Sequence, residues 1–138
     1  MTNNASARLF GIAVAAASVM GLLLVLPGVA AAGNRASTVT VTAGKPSEFR
    51  FQLSTKSVDH GPVTFKIKDG GQIPHDFEIC ASAKGGTANA CEGKTTKMLS
   101  PGASTTLTYT FKTRGTYEYL CTVPGHAASG MKGDLKVT

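Results

Sequence analysis

Near the end of the chain Cys121, His126 and Met131 follow one another as Cys-x4-His-x4-Met, so a thiol, an imidazole and a thioether share one short loop. Soft sulfur suits Cu(I) and imidazole suits Cu(II). A trigonal His2Cys set with a weak axial Met is what holds a copper ion that must exist in both states. Singly, each residue has a plainer reading: the Cys as a small buried hydrophobe, the Met as core filler, the His as a solvated turn residue. Their joint spacing is what points to metal. Zinc also takes Cys and His, but structural zinc sites gather several thiolates and seldom a thioether.

The second imidazole must come from elsewhere, and His60 and His75 are the two other histidines. In Pro74-His-Asp-Phe-Glu-Ile-Cys80 the residues His75, Phe77 and Ile79 alternate with Asp76, Glu78 and Cys80, which places His75 on the apolar face of an expected strand. His60 stands in Ser57-Val-Asp-His-Gly-Pro62, which is turn chemistry, and reads as a solvated loop residue.

Short alternating runs must position these groups. Residues 38–42, 48–53, 63–68, 75–80, 105–112, 116–121 and 134–138 read as strands, separated by turn signals such as Asp69-Gly-Gly71, Ser100-Pro-Gly102 and Arg114-Gly115. The expected fold is all-β, a Greek-key β-sandwich of about seven to eight strands in two antiparallel sheets. His75 would open one strand and the Cys-His-Met loop would join the last two, so the four donors meet at one end. The stretch 81–98 has room for a short helical turn.

The first third of the chain has a different character. No charged residue lies between Arg8 and Arg35, and the apolar run from Leu9 to Leu26 ends at Pro27-Gly28 before Val29-Ala-Ala-Ala-Gly33. Residues 1–32 are expected to be a secretory signal peptide cut after Ala32, with Ala30 and Ala31 as neighbouring choices. An uncleaved membrane anchor is the other reading, because the run approaches the roughly 20 residues that span a bilayer. Residues 33–138 then form one domain, with no room for a second. The whole 138-residue chain carries a formal charge of +6, of which the leader holds only Arg8. The lysines form no run, so the charge reads first as solubility, with steering of acidic redox partners or attraction to anionic lipid as the other reading. Export to an extracytoplasmic space, such as a periplasm, leaves Cys80 and Cys91 as an even pair in an oxidising compartment. A disulfide is expected between them, with two free thiols as the alternative.

After residue 36 the chain resembles the single-domain cupredoxins, the type 1 blue copper proteins that include plastocyanin, azurin and auracyanin. The likeness rests on Ile73-Pro-His75-Asp-Phe and on Tyr117-Glu-Tyr-Leu-Cys121-Thr-Val-Pro-Gly-His126 followed by Gly130-Met131-Lys-Gly133. The x4/x4 spacing looks more like that of auracyanin than that of plastocyanin or azurin. The resemblance implies that His75, Cys121, His126 and Met131 ligate one type 1 copper ion. It also implies that the edge of the His126 ring is exposed within an uncharged patch of Pro124, Gly125, Ala127 and Ala128. Many family members carry Asn at the position of Asp76 and use it to tie the first ligand strand to the residue after the ligand Cys, here Thr122. Asp76 can make that tie or, by strand parity, face solvent.

The expected role is that of a one-electron carrier between redox proteins, a monomer that docks briefly and makes no covalent bond. It would not be an enzyme, would bind no nucleic acid, and would meet a membrane only through an uncleaved leader. The alternative is a carrier or storage protein that delivers copper. Such sites are usually rich in Met and His, whereas after residue 32 the thioethers are Met98 and Met131, and Met98 reads as core packing beside Leu99. A copper oxidase or reductase needs a further substrate metal on several His, which His60 alone does not supply.

Overall fold

In the computed structural model, residues 37–84 and 91–138 are described, and they form nine strands. These are β1 (Ser37–Ala43), β2 (Phe51–Leu53), β3 (Ser57–Val58), β4 (Gly61–Asp69), β5 (Glu78–Ile79), β6 (Lys94–Thr95), β7 (Ser104–Phe111), β8 (Gly115–Leu120) and β9 (Lys132–Val137). One sheet has the order β2-β1-β4-β7 and the other β3-β9-β8-β5-β6. The leader reading falls outside the described residues.

Period-two alternation sets the layers. Val39, Val41 and Ala43 of β1 and Val63, Phe65 and Ile67 of β4 are buried, while Lys66 and Lys68 face water. From the other sheet Tyr117, Tyr119, Leu135 and Val137 complete the core. Aromatic rings join the layers: Phe65 meets Phe77 at a centroid distance of 5.4 Å, and Phe77 stacks on Tyr119 at 5.6 Å. Each such ring, fully buried, contributes about 1.5–3 kcal/mol through removal of apolar surface from water.

The sandwich departs from the expectation in direction and in detail. The sheets are mixed, because β1 runs parallel to β4 and β3 parallel to β9. Alternation encodes which face is buried and carries no information on strand direction. The two-residue strands β3 and β6 are too short to show a period, which brings the count to nine. The strand expected at 48–53 begins only at Phe51. Among the described residues 81–84 and 91–98 there is no helix.

The segment 75–80 differs most. His75 makes an isolated bridge to Leu99, and regular pairing is confined to Glu78 and Ile79. All six residues are buried, including Asp76, Glu78 and Cys80, which parity had turned outward. The segment lies between β8 on one side and the excursion 91–99 on the other, and each polar group turned from water has a partner. Asp76 binds Thr122, Glu78 Oε1 accepts the Gly93 N–H at 2.9 Å, and Cys80 forms the expected disulfide with Cys91. Met98 is not core: it is 54% exposed, and Leu99 beside it takes the buried place.

Candidate metal centre

The hairpin β8–β9 creates the ligand loop. Its last paired rung is Leu120 with Lys132, so Cys121 and Met131 are the first residues past the ladder on each side. The Cys121 N–H donates to the Met131 carbonyl at 3.0 Å, and the Met131 N–H donates to the His126 carbonyl at 3.0 Å. Within the loop, the N–H groups of His126, Ser129 and Gly130 donate to the carbonyls of Val123, Gly125 and Ala127 at 2.9–3.0 Å. Nearly every turn is therefore closed by a backbone bond, and the loop has little freedom left to lose on binding. Met131 is fully buried.

His75 approaches from the neighbouring segment. Its backbone exchanges two hydrogen bonds with Leu99, at 3.1 and 2.8 Å. Asp76 makes the tie that the resemblance suggested: Oδ1 accepts the Thr122 N–H at 2.6 Å and Oδ2 accepts the Thr122 hydroxyl. Being almost fully buried, Asp76 does not face solvent.

These elements bring three donors to one point. His75 Nδ1 lies 3.2 Å from His126 Nδ1, and Cys121 Sγ lies 3.5 Å from the same His126 nitrogen. The ligand atoms of the three lie within 4.8 Å of one another. His60 is not among them; it is exposed and its N–H donates to the Thr138 carbonyl at 2.8 Å. Among the described residues the other potential donor group, Cys80, Cys91 and Glu118, has its two sulfurs joined in the disulfide.

The electrostatics suit a cation. Burial lowers the basicity of the His126 ring, and the nearness of His75 acts in the same direction, so this imidazole favours its neutral, metal-binding form. Burial pushes the Cys121 thiol up to about 11, so its proton must leave when a metal binds. His75 Nε2 lies 2.9 Å from Glu48 Oε1, a contact that favours the tautomer with its proton on Nε2 and a lone pair on Nδ1. Two imidazole nitrogens facing each other beside a sulfur are poorly satisfied by one another and well satisfied by a soft or borderline metal ion. The donor set fits copper.

Three further contacts come from residues 48–50, which the alternation marks only as the start of a strand. Glu48 accepts His75 as well as the N–H groups of Gln72 and Ile73, at 2.9 and 3.1 Å to Oε1, and its carboxyl is held below its ordinary value first by the Gln72 bond and then by His75. Phe49 sets its ring edge-on to His126, with centroids 5.1 Å apart. Arg50 Nη1 donates to the Ser129 carbonyl at 3.0 Å and to the Phe49 carbonyl at 2.8 Å. Its guanidinium occupies the space a Cβ would take at Gly130, whose φ of 103° already favours glycine.

A β-sandwich that closes two imidazoles and a thiol around one point at its pole is a cupredoxin. The chain belongs to the plastocyanin/azurin family of copper binding proteins, which it matches over residues 37–138. It is 28% identical over 127 residues to the copper-resistant cuproprotein CopI of Rubrivivax gelatinosus, covering 80% of this chain and 71% of that one. It is 51% identical over 43 residues to auracyanin-B of Chloroflexus aurantiacus, a match that takes in 31% of this chain and only 18% of that protein's length. In three dimensions it is similar to the reduced auracyanin of Roseiflexus castenholzii, with a TM-score of 0.57 and 25% identity across 77% of this chain and 99% of that one.

Proposed function

We propose that this chain is an exported, mononuclear type 1 copper protein that carries one electron at a time between redox proteins. The reading rests on His75, Cys121 and His126 converging in a buried site whose loop and strands are already tied together by backbone bonds. Copper, if held by His75, Cys121, His126 and Met131, would supply one-electron chemistry between Cu(I) and Cu(II). The protein's part is to fix those side chains, keep water away and leave one route out. That route is His126, the donor on the exposed loop, where Pro124, Gly125 and Ala128 form a surface without charge that a partner can approach at low desolvation cost. Export follows from the leader read at residues 1–32.

The test is to add Cu(II) to residues 33–138 and record the visible spectrum and voltammogram. An intense thiolate-to-copper band and reversible one-electron chemistry are expected. A colourless protein would sink the proposal.

The kinship with a copper-resistant cuproprotein favours one second reading, delivery or storage of the metal. Holoprotein that surrenders copper readily to a competing chelator yet exchanges electrons slowly would support delivery over electron transfer.

A further inference from the structure

Resting on the copper reading above, we infer that Glu48 is a positioning residue for the centre: its carboxylate fixes the ring of His75 so that Nδ1 faces the metal, and its charge biases the site toward Cu(II). The geometry is specific. Glu48 Oε1 receives the His75 Nε2–H at 2.9 Å, the Gln72 N–H at 2.9 Å and the Ile73 N–H at 3.1 Å, while Oε2 takes a second contact from Gln72 at 3.1 Å. The His75 ring is wholly buried and the Glu48 side chain is 29% exposed, so the carboxylate closes the outer side of a ring that water does not reach.

The surrounding backbone is shaped for this pair. Asp69 Oδ1 accepts the Gly71 N–H at 2.9 Å, turning the chain so that the N–H groups of Gln72 and Ile73 point at Glu48. A Cβ on Gly71 would stand 2.8 Å from His75 Nε2 and closer still to Glu48 Oε1. Absence of a side chain there is what lets the ring and the carboxylate meet. An oxygen acceptor on Nε2 settles the tautomer, and a carboxylate does so with a full charge, which stabilises the more positive oxidation state of an ion on the far side of the ring.

Glu48→Gln separates charge from hydrogen bonding. Since Oε1 faces three donors, the amide oxygen takes its place and keeps the bond to the ring, and only the longer Gln72 contact at Oε2 is lost. Glu48→Ala removes both. Two readouts are required: long-range 15N–1H spectra of metal-free, histidine-labelled protein for the His75 tautomer, and the reduction potential of the copper-loaded protein. Wild type and Glu48→Gln are expected to hold the Nε2–H tautomer. In Glu48→Gln the equilibrium should move about tenfold toward Cu(I), which is about 59 mV for one electron, with the visible band unchanged. Glu48→Ala should mix the tautomers and bind copper about 10- to 100-fold more weakly. Gly71→Ala, which displaces the carboxylate from the other side, should reproduce the tautomer mixing. A single Nε2–H tautomer in Glu48→Ala, or a wild-type potential in Glu48→Gln, would overturn the inference. Absence of the thiolate band in wild type would defeat the copper reading instead, and the metal-free spectra would still decide whether Glu48 fixes His75.

Discussion

Three of the four proposed ligands, Cys121, His126 and Met131, lie on one loop, whereas Glu48, Phe49 and Arg50 approach from a segment far away in the chain. The loop carries three of the four proposed donors and closes on itself through backbone bonds between its own residues. The 48–50 segment provides none of the proposed ligands, yet its side chains contact His75, His126 and the Ser129 carbonyl in turn. Donors must sit at set distances from one ion, and a short loop can encode that as spacing. The groups that hold donors still have no such constraint, so they can come from any element that folds nearby.

This contrast predicts unequal consequences, and the loop should show the largest. Cys121→Ser should leave a folded protein without the thiolate-to-copper band, because a hydroxyl is a harder and far less acidic donor than a thiol. A protein that stays intensely coloured after this change would remove Cys121 from the site. No substitution in the 48–50 segment should abolish the band so completely.

The pH dependence of copper binding follows from the same loop. With the Cys121 thiol raised to about 11, the metal-free protein carries that proton at neutral pH, and binding must release it. Apparent affinity should therefore rise about tenfold per pH unit from pH 7 toward 10, the slope of one released proton. His126 is shifted downward, so its proton competes only below the ordinary imidazole range, where the slope should steepen. Titration with a copper chelator across this range gives the slope directly. An affinity flat between pH 7 and 10 would mean that the thiol is not a ligand or is already ionised.

Met131→Leu should be milder. In the proposed ligand set Met131 is the weak axial donor, whose loss would leave Cu(II) less stabilised relative to Cu(I), so copper and colour should persist while the potential rises. A potential that stays put or falls would take Met131 out of the axial position.

How far the chain could be read depends on how each part is buried. The regular strands are buried on one face, and alternation in β1, β4, β8 and β9 reports that face faithfully. In 75–80 both faces are covered, so parity correctly turned His75 inward but wrongly turned Asp76, Glu78 and Cys80 out. The disulfide was legible because cysteine parity is a counting argument, whereas the Asp76–Thr122 tie was only one of two open readings, raised by the resemblance and opposed by strand parity. Glu48 lies 27 residues from His75 and nothing local marks their meeting; only the turn at Gly71 brings them together. Met98 failed for a simpler reason: of two adjacent apolar residues at a bridge, one had to face out, and composition does not say which.

The smallest effect belongs to Arg50, and it tests whether the 48–50 segment holds the loop or merely lies against it. Arg50→Ala deletes the hydrogen bond to the Ser129 carbonyl and empties the space beside Gly130. Arg50 is exposed, so the bond competes with water and should be worth about 1 kcal/mol. For a domain of this size that is a fall in Tm of about 4–8 °C. Colour and potential should stay at wild-type values, because the backbone bonds from Cys121 to Met131 and from Met131 to His126 survive the change. The loosening should appear instead as faster amide exchange at Ser129 and Gly130, measured on the metal-free protein where no ion masks it. If exchange there is unaltered, the loop is rigid by its own turns alone, and the remote segment acts on the centre only through Glu48 and Phe49.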